Sequence, residues 1–96
     1  MKRARKLLER TADRLDLPGE VIAGQPHLEL TGFTKLSVEH HRGVLEYTDE
    51  AVTVALRDGQ VRVTGKNLSI SLMNHEFVVV DGVLRNVALE PGDSHD

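Results

Sequence analysis

The stretch that decides the fold is VTVALRDGQVRVTG, residues 52–65. Valine alternates with polar or small residues on both sides of Asp58-Gly59, and a period of two is typical of half-buried strands. An Asp-Gly pair favours the positive φ angles of a type I′ turn. We therefore predict a β-hairpin that turns at Arg57-Asp58-Gly59-Gln60.

The same alternation extends through most of the chain from His27 onward. Residues 77–80 read FVVV without alternation, which indicates a strand buried on both faces. Asp81-Gly82 repeats the hairpin signal, and Gly65–Asn67 reads as another turn. Roughly seven or eight short strands joined by glycine turns predict a mainly β fold, a small antiparallel β-sandwich or roll.

A second architecture stays open at this point. The Asp-Gly pairs at 58 and 81 lie 23 residues apart, which also fits a short β-solenoid-like stack. In either case we predict four segments, which are a basic N-terminal helix over 1–15, a Pro/Gly connector over 16–26, a β domain over 27–90 and a polar tail over 91–96.

The N-terminal segment differs from the rest of the chain in its charge. Residues 1–14 carry a net charge of +4, whereas the remaining residues carry −7. Apolar residues recur at three- and four-residue steps, at Ala4, Leu7, Leu8, Thr11/Ala12 and Leu15. This spacing predicts an amphipathic helix that docks on a membrane, on an acidic partner or on its own β domain. The residues predicted to contact the partner or membrane are basic: Lys2, Arg3, Arg5, Lys6, Arg10 and Arg14.

Composition excludes several classes of protein. The chain has no cysteine, so disulfides and thiolate metal sites are ruled out. No apolar stretch reaches the roughly 18 residues of a membrane-spanning helix, and charges interrupt any signal-peptide core. We expect a cytoplasmic protein. Its acidic, aromatic-poor β domain argues against nucleic acid as a partner.

The candidate catalytic and metal-binding residues do not form a convincing site in the sequence. His40-His41 stands beside Glu39, but successive residues of a strand point to opposite faces and could not share an ion unless they lay in a loop. Ser37, Ser69 and Ser71 lack the context of a nucleophile elbow. We therefore predict no enzyme activity, no metal and no cofactor.

One set of turn and strand motifs extends over most of the chain. It comprises residues 38–50, residues 59–70, Leu17-Pro18, Pro26, the turn from Glu39 to Gly43 and the rhythm near Gly82. In these motifs the chain resembles the YabP/YqfC family of bacterial sporulation proteins, and the YqfC branch in particular. The resemblance implies a mother-cell protein needed while the endospore envelope is assembled, with no catalytic role.

These expectations combine into one functional hypothesis. The protein would be a scaffold or adaptor in coat or cortex morphogenesis, located in the mother-cell cytoplasm and peripheral at the forespore membrane. Its partner would be a protein, in one version embedded in that membrane. A self-assembling, homo-oligomeric β scaffold is the alternative, and a small-ligand-binding protein or an enzyme is the less favoured one.

Overall fold

The computed structural model describes residues 24–92, and these form one antiparallel sheet in the order β1-β2-β6-β5-β4-β3. The prediction of a mainly β, antiparallel fold is confirmed, but the six strands form a single open sheet rather than the two packed sheets of a sandwich. The predicted helix over 1–15 lies outside the described residues, as do most of the connector and the end of the tail. The strands are β1 His27–Thr31, β2 Lys35–Glu39, β3 Val44–Tyr47, β4 Ala51–Leu56, β5 Gly59–Met73 and β6 Phe77–Pro91.

The sheet is organised around one long hairpin made of β5 and β6. These strands have 15 residues each and pair from Gly59–Pro91 to Met73–Val78. β4 pairs only with residues 59–64 of β5, and β2 pairs only with residues 77–81 of β6. Within residues 24–92, each long strand therefore has a shorter strand beside it along one half, and loop residues contact the same edge farther along.

The long hairpin bends in its middle. Its register shifts three times between Thr64 and Leu72, and bulges of this kind sharpen the local bend and twist of a strand pair. Asn67 has φ 53° and Gly82 has φ 141°. A Cβ on Gly82 would lie 2.6 Å from the Asn67 carbonyl oxygen, so only glycine fits where the two backbones approach.

The bend brings both ends of the sheet onto one core. β2 and β4 are separated by two strands, yet Leu36 and Val38 of β2 share a core cluster with Val52 and Val54 of β4. All four are fully buried. Burying such a side chain stabilises a fold by roughly 1.5–3 kcal/mol. The other core members are Val61, Val63, Leu68, Val78, Val80 and Leu84.

Two of the turns predicted from the sequence are bends within strands. Gly65–Asn67 lies inside β5 and Asp81-Gly82 lies inside β6, so the described residues form six strands rather than seven or eight. The same glycine and asparagine preferences serve a bulge as well as a chain reversal. All five strand pairings are antiparallel, which is not the arrangement of stacked solenoid coils.

The predicted hairpin at residues 57–60 is present, but its turn is of another type. Leu56 pairs with Gly59, so the two-residue loop is Arg57-Asp58. Within residues 24–92, the non-glycine residues with positive φ are His40 and Asn67, so the loop is not type I′. Gly59 instead begins β5, at a point where a Cβ would collide with the Glu90 carbonyl oxygen.

No helix long and apolar enough to cross a membrane occurs within residues 24–92.

Candidate functional site

The end of β2 is shaped by an unusual backbone conformation at His40. This residue has φ 65°, in the left-handed region that non-glycine residues seldom occupy and that histidine tolerates better than most. Its N–H donates to the Glu76 carbonyl oxygen over 2.8 Å, next to the register pair of Glu39 and Phe77. The backbone of Glu39 and His40 is thereby held against the segment that precedes β6.

This conformation brings one imidazole and two carboxylates together. His40 Nε2 lies 3.7 Å from Glu39 Oε2, and one ligand atom from each of Glu39, His40 and Glu76 lies within 4.8 Å of the others. Glu39 and His40 are half-buried, whereas Glu76 is exposed. We call these three residues the histidine–carboxylate corner.

The corner changes the sequence-based argument about metal ligands. From the sequence, we argued that neighbouring residues of a strand point to opposite faces and cannot bind one ion, unless they lie in a loop. His40 lies just beyond the last residue of β2, and its left-handed conformation ends the alternation. Glu76 was missed because it lies far from His40 in the sequence, and its only signal was the break in pattern before residues 77–80.

A second histidine lies beside the corner. His27 is the register partner of Glu39 across β1 and β2, so the side chains of this pair lie on the same face of the sheet. A depression of about 300 Å³ is lined by His27, Glu39 and His40 together with Gln25 and Pro26.

His41 has a structural role, because both of its ring nitrogens contact backbone groups. Its Nδ1 accepts a hydrogen bond from the Gly43 N–H at 3.0 Å, and its Nε2 lies 2.7 Å from the Asn74 carbonyl oxygen. Because a backbone N–H can only donate, Nδ1 must be unprotonated and Nε2 must donate. The ring therefore joins the loop after β2 to the loop before β6.

An ion pair crosses three strands on another part of the sheet. Arg62 Nε lies 3.2 Å from Glu46 Oε1, and Thr53 Oγ1 donates to the same oxygen over 2.9 Å. Thr53 is the buried polar side chain of residues 24–92. The hydrogen bond from Arg62, supported by the bond from Thr53, holds the pKa of Glu46 below its usual value.

Several large apolar side chains are exposed, and the most exposed of them is Phe33 at 80%. Phe33 lies in the β1–β2 turn, which is held on β6 by the bond from the Leu84 N–H to the Phe33 carbonyl oxygen at 2.8 Å. Leu30 and Phe33 line a depression of about 260 Å³ with Leu84 and Val87. We call Leu30 and Phe33 the Phe33 surface.

The two outermost strands have free edges, which are a separate feature of the sheet. β1 and β3 are the outermost strands of the sheet, so the outer edge of each has no neighbouring strand within residues 24–92. β3 also exposes Leu45 and Tyr47. Unpaired edges with apolar side chains are a template for pairing with another chain.

The six basic residues predicted to contact a partner or membrane lie outside the described residues. Of the three serines considered above, Ser71 donates to the Val79 carbonyl oxygen over 3.5 Å, a backbone contact within the β5–β6 pair. Residues 24–92 thus offer two separate groups of side chains suited to binding. One is the histidine–carboxylate corner, and the other is the Phe33 surface.

Comparison with known proteins agrees with the resemblance noted in the sequence. The YabP family model matches residues 23–96. The chain is also 29% identical over 70 residues to a Bacillus subtilis (strain 168) protein named uncharacterized protein YqfC. That alignment covers 73% of this chain and 75% of the relative. No solved structure matches the chain. Because the family match includes all six strands and the corner, the chain belongs to the YabP family.

Proposed function

We propose that this protein is a non-enzymatic scaffold or adaptor in the morphogenesis of the endospore envelope. The observation that carries the proposal is the Phe33 surface, an exposed apolar feature held on the fold by backbone hydrogen bonds. Exposed apolar groups beside an unpaired strand edge favour binding of another protein. Membership of the YabP family, together with the resemblance to sporulation proteins, supports the biological setting.

The geometry of the β domain favours contact over catalysis. His41 has both ring nitrogens in contacts with backbone groups, and the Glu46 carboxylate is bound by Arg62 and Thr53. These polar side chains link strands and loops. A hydrogen-bonded sheet with exposed apolar groups at its edges suits an adaptor that presents one surface to a protein partner.

The basic N-terminal segment would supply the second contact. Its net charge of +4 suits an anionic leaflet or an acidic face of a membrane protein. Each basic residue near such a leaflet contributes roughly 1 kcal/mol, and this attraction weakens with salt. The proposed location is the mother-cell cytoplasm, peripheral at the forespore membrane.

Vesicle flotation tests the membrane contact with the full chain. The probe is phosphatidylcholine vesicles with and without phosphatidylglycerol, and the variant replaces Lys2, Arg3, Arg5, Lys6, Arg10 and Arg14 with Gln. A matched control replaces the six basic residues of the remaining chain, Lys35, Arg42, Arg57, Arg62, Lys66 and Arg85, with Gln. We expect the wild type and the control to float with anionic vesicles at low salt, and the N-terminal variant to stay in solution.

Equal flotation of the N-terminal variant and the wild type would exclude membrane binding through this segment, and so would the absence of flotation by both. Location is tested separately by a fluorescent fusion in sporulating Bacillus subtilis. We expect the signal to surround the forespore on the mother-cell side. A uniform signal in the mother cell throughout sporulation would contradict the envelope role.

Self-association is a second candidate function, favoured by the exposed edges of β1 and β3. Edge-to-edge pairing of β3 would bury Leu45 and Tyr47, which are 61% and 53% exposed. Sedimentation of the full chain over a range of concentrations tests this. Leu45→Lys should shift an oligomer to monomer, because a lysine on an edge strand opposes pairing. A wild type that remains monomeric at high concentration would rule out this candidate.

A further inference from the structure

We propose that the histidine–carboxylate corner binds a divalent transition-metal ion of the zinc class. The ligands are Nε2 of His40 and one carboxylate oxygen from each of Glu39 and Glu76. This site goes beyond the proposed adaptor function and does not depend on it.

The candidate ligand atoms of the corner would need to move only slightly closer together to bind such an ion. Zinc binds imidazole nitrogen and carboxylate oxygen at about 2.0–2.2 Å, so neighbouring ligands of a tetrahedral site lie ~3.3 Å apart. Glu39 Oε2 and His40 Nε2 are already 3.7 Å apart, and the set of three spans at most 4.8 Å. Glu76 is exposed, so its side chain can rotate to make the remaining movement.

The backbone beneath the ligands is fixed by hydrogen bonds. The His40 N–H binds the Glu76 carbonyl oxygen, and Glu39 is in register with Phe77. Asn74 Oδ1 also accepts hydrogen bonds from the N–H groups of Glu76 and Phe77, at 2.8 and 2.7 Å. Binding would therefore order side chains and leave the backbone in place, which lowers its entropic cost.

The charges of the corner favour a dication. Two carboxylates held near one another repel, and a doubly charged cation between them attracts both and outweighs that repulsion. An imidazole in the ligand set favours zinc, copper or nickel over magnesium and calcium, which prefer oxygen ligands alone. The three protein ligands leave a fourth position of a tetrahedral site for water.

The unusual backbone of His40 also fits this role. The left-handed backbone conformation costs most non-glycine residues roughly 1–2 kcal/mol, although Asn adopts it more readily. Here it directs the imidazole toward Glu39, which a regular strand would not do. The variant His40→Asn removes the imidazole and keeps a residue suited to the backbone, so it tests the ligand without unfolding the loop.

Isothermal titration of the full chain with zinc chloride tests the site. We expect about one equivalent of zinc to bind, and at least about tenfold weaker binding in His40→Asn and in Glu76→Gln. Two controls replace histidines outside the corner with Gln, at His75 in the loop beside Glu76 and at His95 near the C-terminal end of the sequence. Both controls should bind zinc as the wild type does.

A second measurement keeps the test independent of folding in the variants. Zinc added to the wild type should shift the imidazole resonances of His40 in an NMR spectrum while those of His75 stay in place. Magnesium chloride should leave both unchanged. No zinc binding, equal binding by His40→Asn and the wild type, loss of binding in the His75 or His95 control, or a shift with magnesium alone would each overturn the proposal.

Discussion

Gly65 on β5 lies directly against the carbonyl group of Val83 on β6, with no space between them for a Cβ atom. The contact occurs where the long hairpin shifts register, between Thr64–Asn86 and Gly65–Leu84. Because β4 pairs before this point on β5 and β2 pairs beyond it on β6, the bend determines whether the two ends of the sheet reach the same core.

Gly65→Ala should destabilise the fold by roughly 1–3 kcal/mol or more, because the obstacle is backbone and cannot move aside as a side chain would. The control is Gly32→Ala in the β1–β2 turn. Gly32 has φ 56°, and no atom lies within 4 Å of the position that a Cβ would occupy. Alanine there should therefore cost only about 1 kcal/mol, from the strain of the left-handed backbone. Urea unfolding followed by circular dichroism measures both, and a Gly65→Ala variant as stable as the wild type would contradict the close contact.

Leu36→Ala should cost about 2–5 kcal/mol, because the side chain is fully buried between the two ends of the sheet. The matched control is Leu45→Ala on β3, where the side chain is 61% exposed and the expected change is within about 0.5 kcal/mol. Equal losses for both leucines, measured by the same unfolding experiment, would show that the core does not include β2.

Glu46→Gln should destabilise the protein at neutral pH and have a smaller effect in acid. Arg62 and Thr53 lower the folded-state pKa of Glu46, so the native state binds fewer protons than the unfolded chain near that pKa. The resulting stabilisation is fully present above the unfolded pKa of about 4.3 and is lost as pH falls through the lower folded pKa. Unfolding free energies over a pH series should show the two proteins converging.

The guanidinium of Arg62 can be tested as the main cause of that effect. In an Arg62→Gln background, Glu46→Gln should show a weaker dependence on pH, because the larger of the two hydrogen-bonding contributions is gone. An unchanged dependence would assign the effect to Thr53 or to another group.

Tyr47→Phe should weaken the link between β3 and the far half of β5. Tyr47 Oη accepts a hydrogen bond from the Ile70 N–H over 3.0 Å, on the edge of β5 that β4 leaves uncovered. The expected loss is about 0.5–1.5 kcal/mol. Amide hydrogen exchange should become faster at Ile70 while Val63, between β4 and β6, is unaffected; unchanged exchange at Ile70 would rule out the bond in solution.

The strand content and much of the core follow from local pattern. Valines at positions 52, 54, 61 and 63 predicted the hairpin and its buried face. Side chains of a strand alternate between two faces, so residues two apart lie on the same face, and all four valines are buried. The continuous run at 77–80 predicted a strand buried on both faces, and this was only half right. Val78 and Val80 are fully buried on one face, whereas Phe77 and Val79 on the other face are partly exposed.

The turns were less predictable, because glycine and asparagine have the same preferences in a reversal as in a bulge. Gly65–Asn67 and Asp81-Gly82 looked like chain reversals, and pairing over the whole length of β5 and β6 made them bends. Whether such a segment reverses the chain or bends a strand depends on hydrogen bonds to residues far away in the sequence. A short stretch of sequence does not include those residues.

The sequence alone determined that this protein alternates apolar and polar residues along its strands and has a net positive charge in residues 1–14, since both are properties of neighbouring residues. Only the tertiary structure decided that one bent sheet surrounds a single core and that Glu76 lies beside Glu39 and His40. The physical reason is that these contacts join segments far apart in the chain, and backbone pairing between β2 and β6 fixes them.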